Sequence, residues 1–99
     1  MKLFEKIEIG TYAILRGPDT SPWNNWYGIV ISEVEPGQIY KIKILNEITE
    51  DDKIEMKDYL RGTLMNAHKS NFRCYQSKSK FDEEVEIIET KRASKKYNL

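Results

Sequence analysis

Apolar and polar positions alternate with a period of two near the start of the chain. Ile7 and Ile9 interleave with Lys6 and Glu8, and Tyr12 and Ile14 resume the pattern one step out of phase after Gly10-Thr11. A period of two is the mark of a half-buried strand, and a phase slip at glycine marks a bulge or bend. Residues 6–16 therefore read as a first strand bent at Gly10. A second strand is expected from Tyr27 to Val34. Its run Gly28-Ile29-Val30-Ile31 is apolar on both faces, which places it centrally. Glu35-Pro36-Gly37-Gln38 is a turn, with Pro presetting φ at the second position and Gly accepting the positive φ of the third. From Ile39 to Leu45 the alternation is clean: Tyr40, Ile42 and Ile44 face one way, Lys41 and Lys43 the other. This is a half-buried antiparallel strand hairpinned to its predecessor.

The pattern then loosens. Thr49-Glu50-Asp51-Asp52 has the spacing of a capping box, Thr as N-cap and an acid three residues on. A short helix to about Arg61, stopped by Gly62, is one reading of residues 49–62. Ile54, Met56, Tyr59 and Leu60 make no single stripe, so a wide loop or strand pair stands beside it. Residues 63–68 resume a strand pattern, Lys69-Ser70-Asn71 reads as a tight turn, and residues 72–76 form a last short strand. In it Phe72 and Cys74 oppose Arg73 and Tyr75. Beyond Ser77, Phe81, Val85 and Ile88 fall at i, i+4, i+7 behind a Ser79–Asp82 capping spacing. Acids (Asp82, Glu83, Glu84, Glu86) precede bases (Lys91, Arg92, Lys95, Lys96), as a helix dipole favours. A C-terminal helix packing one face on the strands, frayed from about Ser94, is favoured; the β-branched Val85, Ile87 and Ile88 also permit a strand.

The stretch that breaks the β pattern is Arg16-Gly-Pro-Asp-Thr-Ser-Pro-Trp-Asn-Asn-Trp-Tyr27. Two prolines, a glycine, two asparagines and two tryptophans make it a long loop carrying aromatic rings. Tryptophan and tyrosine cover much area at low entropic cost and dominate interface hot spots. Trp23, Asn24, Asn25, Trp26 and Tyr27 are therefore the candidate partner-binding residues. One of the two tryptophans is expected to cap the apolar core while the other faces the partner.

At 99 residues the chain is expected to be one domain, with residues 1–76 as a β-unit and 77–99 as a helix or tail. Sixteen basic residues balance sixteen acidic ones, so no overall field draws the molecule to nucleic acid or anionic lipid. A single cysteine, Cys74, precludes an internal disulfide and suits a reducing compartment. With no signal-like or membrane-spanning apolar run, a cytoplasmic location and no membrane partner are expected.

Strand, long aromatic loop, glycine-led strand, tight turn, alternating strand, insertion, strand, single turn and short strand form an order that resembles the SH3-like small-barrel group (SH3, Tudor and KOW-type domains). The resemblance spans roughly residues 7–76 and is carried by Tyr12-Ala13-Ile14-Leu15, Gly28-Ile29-Val30-Ile31, Tyr40-Lys41-Ile42-Lys43-Ile44 and Ser70-Asn71-Phe72-Arg73-Cys74-Tyr75. It implies a mainly β (β-rich α+β) fold: a five-stranded barrel with a 3₁₀ turn near Ser70–Phe72, the C-terminal helix outside it, and a ligand surface in the first loop. The Tudor likeness further suggests an aromatic cage for methylated lysine from Trp23, Trp26, Tyr40 and Phe72, set against the ordinary use of such rings in a core.

Other chemistry is thin. Arg61, Lys69, Arg73, Lys78 and Lys80, interleaved with Phe72 and Tyr75 and free of acids from 61 to 80, have the ingredients of an RNA or single-stranded DNA surface. Acids from Glu47 to Asp58 and Asp82 to Glu89 flank that stretch on both sides. His68 and Cys74 are the only nucleophile–base candidates and lack a third, orienting group; a structural role suits both better. No phosphate loop, dinucleotide fingerprint or metal-ligand spacing is present, so neither cofactor nor metal is expected. The expected function is non-catalytic: binding of another protein through the Trp-rich loop and the adjoining strand edge, with nucleic-acid binding as the alternative. In style the chain also resembles the small host-modulating proteins of phages and mobile elements.

Overall fold

The computed structural model describes residues 7–97, with side-chain surroundings given through Ser94. Among the described residues six strands form one antiparallel sheet: β1 (Tyr12–Leu15), β2 (Tyr27–Glu35), β3 (Ile39–Ile44), β4 (Leu60–Arg61), β5 (Leu64–His68) and β6 (Phe72–Tyr75). Their order across the sheet is β4-β5-β3-β2-β1-β6. The sheet is not closed, so β4 and β6 are its two edges. This is a β-rich α+β fold, with one strand more than expected and with helices α1 (Glu50–Glu55) and α2 (Lys78–Tyr97). A 3₁₀ turn at Lys69–Asn71 precedes the last strand, at the place expected.

The β2–β3 hairpin follows from its sequence. Gln38 N–H closes the turn on Glu35 C=O at 2.9 Å, and Gly37 takes φ +68°. Tyr40, Ile42 and Ile44 point into the main core with Val30, Leu15, Met65 and Phe72, while Lys43 is exposed. Register slips between Val30 and Ser32 and between Glu33 and Glu35 turn Ile31 and Val34 outward as bulge residues. Both faces of β2 are apolar because both are covered at its start: the opposite face of β1, β2 and β6 carries Tyr12, Ile14, Tyr27 and Tyr75 beneath α2.

Helix α2 packs through the three positions that its spacing marks. Phe81 and Ile88 are buried and Val85 is half-buried, with Phe81 stacked on Tyr12 at 4.6 Å between ring centroids. The helix begins earlier than expected. Ser77, not Ser79, receives the first-turn N–H, from Lys80 at 3.4 Å, so no acid lies in the first turn. The backbone remains helical through Tyr97, past the expected fraying point; the Lys95 and Lys96 side chains lie outside the described residues.

Three other boundaries differ. The first strand is only Tyr12–Leu15, since Ile9-Gly10 is a turn with Gly10 at φ +94°; Lys6 lies outside the described residues. Helix α1 has the expected capping box: Asp52 N–H donates to Thr49 Oγ1 at 3.1 Å and the Asp52 carboxylate accepts from Thr49 N–H. It stops at Glu55 rather than near Arg61. Met56 is needed in the core, and Leu60 and Arg61 leave the helix to pair with Met65 and Leu64 across a turn that holds Gly62. The insertion is thus both of the structures its pattern allowed, a helical turn and a strand pair.

Candidate functional site

The 16–26 loop is a chain of small turns built by its own polar groups. Ser21 N–H meets Pro18 C=O, Asn24 N–H meets Ser21 C=O, and Trp26 N–H meets Trp23 C=O. Asn24 Oδ1 accepts from Gly17 N–H at 3.0 Å, and Asn25, at φ +68°, accepts from the Arg16 guanidinium at 3.1 Å. Asparagine tolerates the left-handed region and its amide substitutes for backbone partners, which is why such residues serve turns. Asn24 and Asn25 are therefore struts of the loop.

The two tryptophans part company in burial. Trp26 is only 2% exposed and belongs to the main core, so as a partner-contacting residue it is corrected to a core residue. Trp23 is half-buried, packing against that core with its ring lying over Gly17. Tyr27 is turned the other way, under α2. Its hydroxyl donates to Glu89 Oε1 at 3.1 Å, its ring meets Phe81 edge-on, and the Arg92 guanidinium lies 6.0 Å from its centroid. Burial first, and the neighbouring Glu89 second, push the Tyr27 hydroxyl above its ordinary value, against the opposing pull of Arg92. Arg92 also donates to Asn25 C=O at 3.2 Å, tying loop to helix. Between them lies a polar groove of about 540 Å³ that includes Asp19, Ser21, Lys91 and Arg92.

Trp23 borders a second groove, of about 370 Å³, on the β5 side of the sheet. Leu15, Met56, Met65 and Ala67 supply its apolar floor, and Tyr59, 66% exposed, shares the lining with Trp23. Asn66, His68 and Asn71 complete the lining with polar groups. An apolar floor with a few polar groups and large rings at the rim is the composition of a binding groove. Tyr59 was not among the expected residues, although its failure to join a helical stripe with Ile54 and Met56 was the signal that it serves another surface.

His68 is held in place. Its Nδ1 accepts from Ser70 N–H at 3.1 Å, which leaves the neutral ring's proton on Nε2, 3.0 Å from Gln38 Oε1. Cys74 sits half-buried against the core from β6. These placements give both residues structural surroundings.

The residues of the expected basic face are dispersed. Arg61 is on β4 and Arg73 on β6, the opposite edges of the sheet. Phe72 is buried and meets Tyr40 edge-on at 5.9 Å, which also removes both rings from any methyl-lysine cage. Tyr75 packs on Phe81 beneath Arg73, and Lys78 pairs with Asp82 at 2.9 Å. All five cations are exposed, but they stand on separate elements: Arg61 on β4, Lys69 in the 3₁₀ turn, Arg73 on β6, and Lys78 and Lys80 in the first turn of α2.

The chain matches no protein family, no curated protein and no solved structure. No helix among the described residues is long and apolar enough to cross a membrane, and no cluster of three or more His, Cys, Asp or Glu suited to a metal occurs among them.

Proposed function

We propose that this protein is a non-catalytic protein-binding module of SH3-like small-barrel type, and that the groove between Trp23 and Tyr59 is its contact site. The run β5-β3-β2-β1-β6 with a 3₁₀ turn before the last strand supports that architecture, β4 and α1 being insertions and α2 an addition. The observation that carries the function is the pair of large rings at the mouth of an apolar-floored groove. Tyr59 is mostly exposed although it could be buried by a partner at little entropic cost. The alternative use of the basic residues in nucleic-acid binding gains nothing from an arrangement that spreads them and buries Phe72.

Affinity capture from cell extract with the wild type, Trp23→Ala and Tyr59→Ala tests the proposal, with circular dichroism to confirm folding. Proteins retained by the wild type are expected to be lost by both variants. Equal retention by folded variants refutes it.

A further inference from the structure

The groove runs along an open strand edge, and we infer that its ligand is an extended peptide segment that pairs with the outer edge of β5 at Asn66–His68 and sets an apolar side chain between Trp23 and Tyr59. The inference rests on the proposed function and names the ligand class.

The backbone direction of β5 follows from two bonds at its ends. Ile44 N–H donates to Thr63 C=O at 2.7 Å, and Lys69 N–H to Gln38 C=O at 2.9 Å. In an antiparallel ladder, residues alternate between exchanging bonds with the partner and pointing away. Met65 and Ala67 therefore bond β3, while Leu64, Asn66 and His68 direct their backbone groups outward. Strand β4 covers this outer side only at Leu64 and Met65. It ends at Leu60, because Tyr59 N–H and Leu60 N–H turn back to Met56 C=O at 2.8 and 2.9 Å. No strand of the described chain covers the edge at Asn66–His68. The same residues line the groove, so main-chain pairing and side-chain burial meet in one place. That combination is how strand addition obtains affinity and specificity.

Charge limits the ligand further. Beside Asn71, at the 3₁₀ end of the groove, Lys69 and Arg16 are exposed, and Arg16 N–H bonds Asn71 C=O at 2.8 Å. Neither cation is ion-paired among the described residues; Arg16 meets only the neutral amide of Asn25. At the Tyr59 end, Lys57 and Asp58 offset each other. The segment that fits has an acidic side chain near the 3₁₀ end and an apolar one at the centre.

His68 offers a test of the main chain apart from the side chain. It sits at φ −72°, within proline's range, and its N–H faces away from β3. His68→Pro deletes an outward donor while leaving the β3 ladder intact; His68→Ala deletes the imidazole and keeps the donor. A displayed library of random twelve-residue peptides is selected on the wild-type protein, and the winning sequence is synthesised. The expected winner carries an acid beside an aromatic or branched apolar residue. It loses tenfold or more with His68→Pro and with Trp23→Ala, and clearly less with His68→Ala, which removes a groove-lining ring but keeps the backbone donor. Should His68→Pro unfold, alternate N-methylation of the peptide gives the same readout, with binding lost at one parity only. Equal loss in His68→Ala and His68→Pro, equal binding of both methylation parities, or proline-rich or acid-free winners overturn the inference. Loss in Trp23→Ala without loss in His68→Pro overturns strand pairing and leaves the groove itself standing. Failure to enrich any peptide overturns both.

Discussion

Gly17→Ala tests whether the seat of Trp23 is as tight as the structure has it. A methyl at position 17 would lie 2.2 Å from the Trp23 Cη2, 2.5 Å from Cζ3 and 2.8 Å from Cζ2. These atoms form the far end of the side chain, so the ring must leave rather than the loop backbone. A tryptophan buries about 150–250 Å² when fully covered. Returning half of that to water, at about 25 cal/mol per Å², costs about 2–3 kcal/mol. Stiffening the unfolded chain offsets about 0.4–1 kcal/mol of this. The net loss of about 2 kcal/mol lowers the melting temperature by roughly 10 °C in a domain of this size. Urea unfolding followed by circular dichroism measures it directly. Tryptophan emission should shift red in the folded variant, since Trp26 stays in the core and only Trp23 is displaced. The decisive control is Trp23→Ala. With the ring gone, Gly17→Ala should be neutral or slightly stabilising, a coupling of about 2 kcal/mol between the two sites. An equal cost of Gly17→Ala in both backgrounds would refute the packing of ring on glycine and with it the geometry of the groove wall.

Three further outcomes follow from the α2 side. Phe81→Ala, which empties the ring between Tyr12, Tyr27 and Tyr75, should cost about 3–5 kcal/mol in urea unfolding; a cost below about 1 kcal/mol would mean α2 does not dock there. The hydroxyl of Tyr27 is raised above 10.0, and that of Tyr40 likewise. A folded-state value above the unfolded one gives stability that is fully present below pH 10 and lost as pH rises through the folded value. The urea midpoint should therefore fall above about pH 10, and less steeply in Tyr27→Phe; identical slopes in the two proteins would exclude the burial of this hydroxyl beside Glu89. Arg92→Ala removes the bond to Asn25 C=O and should speed amide hydrogen exchange in residues 16–26 roughly two- to tenfold, with β3 unchanged. Unchanged exchange in the loop would show that the helix does not hold it.

Much of this architecture is legible along the chain because it is local. The Tyr40-Ile42-Ile44 alternation, the Pro36-Gly37 turn, the Thr49–Asp52 box and the Phe81-Val85-Ile88 spacing each depend on residues a few positions apart, and each takes the predicted form. Boundaries are less legible, because distant partners compete for them. Helix α1 ends at Glu55 because Met56 enters the core and Leu60 finds Met65. The N-cap of α2 falls at Ser77 rather than Ser79, although either serine suits the role locally.

The candidate site divides the same way. Sequence alone singled out the loop from Arg16 to Tyr27 and led to the expectation that its two tryptophans serve different ends. Which ring does which was decided by tertiary packing. The loop closes through Leu15 N–H to Trp26 C=O and Asn25 N–H to Leu15 C=O, which directs Trp26 into the core and leaves Trp23 over Gly17 at the groove. Tyr59 joins that groove from a segment thirty-six residues away, brought there by the sheet order rather than by any local pattern. Periodicity specifies which face of an element is apolar. It carries no information on which distant face will cover it, and that choice is made only when the whole sheet buries its surface at once.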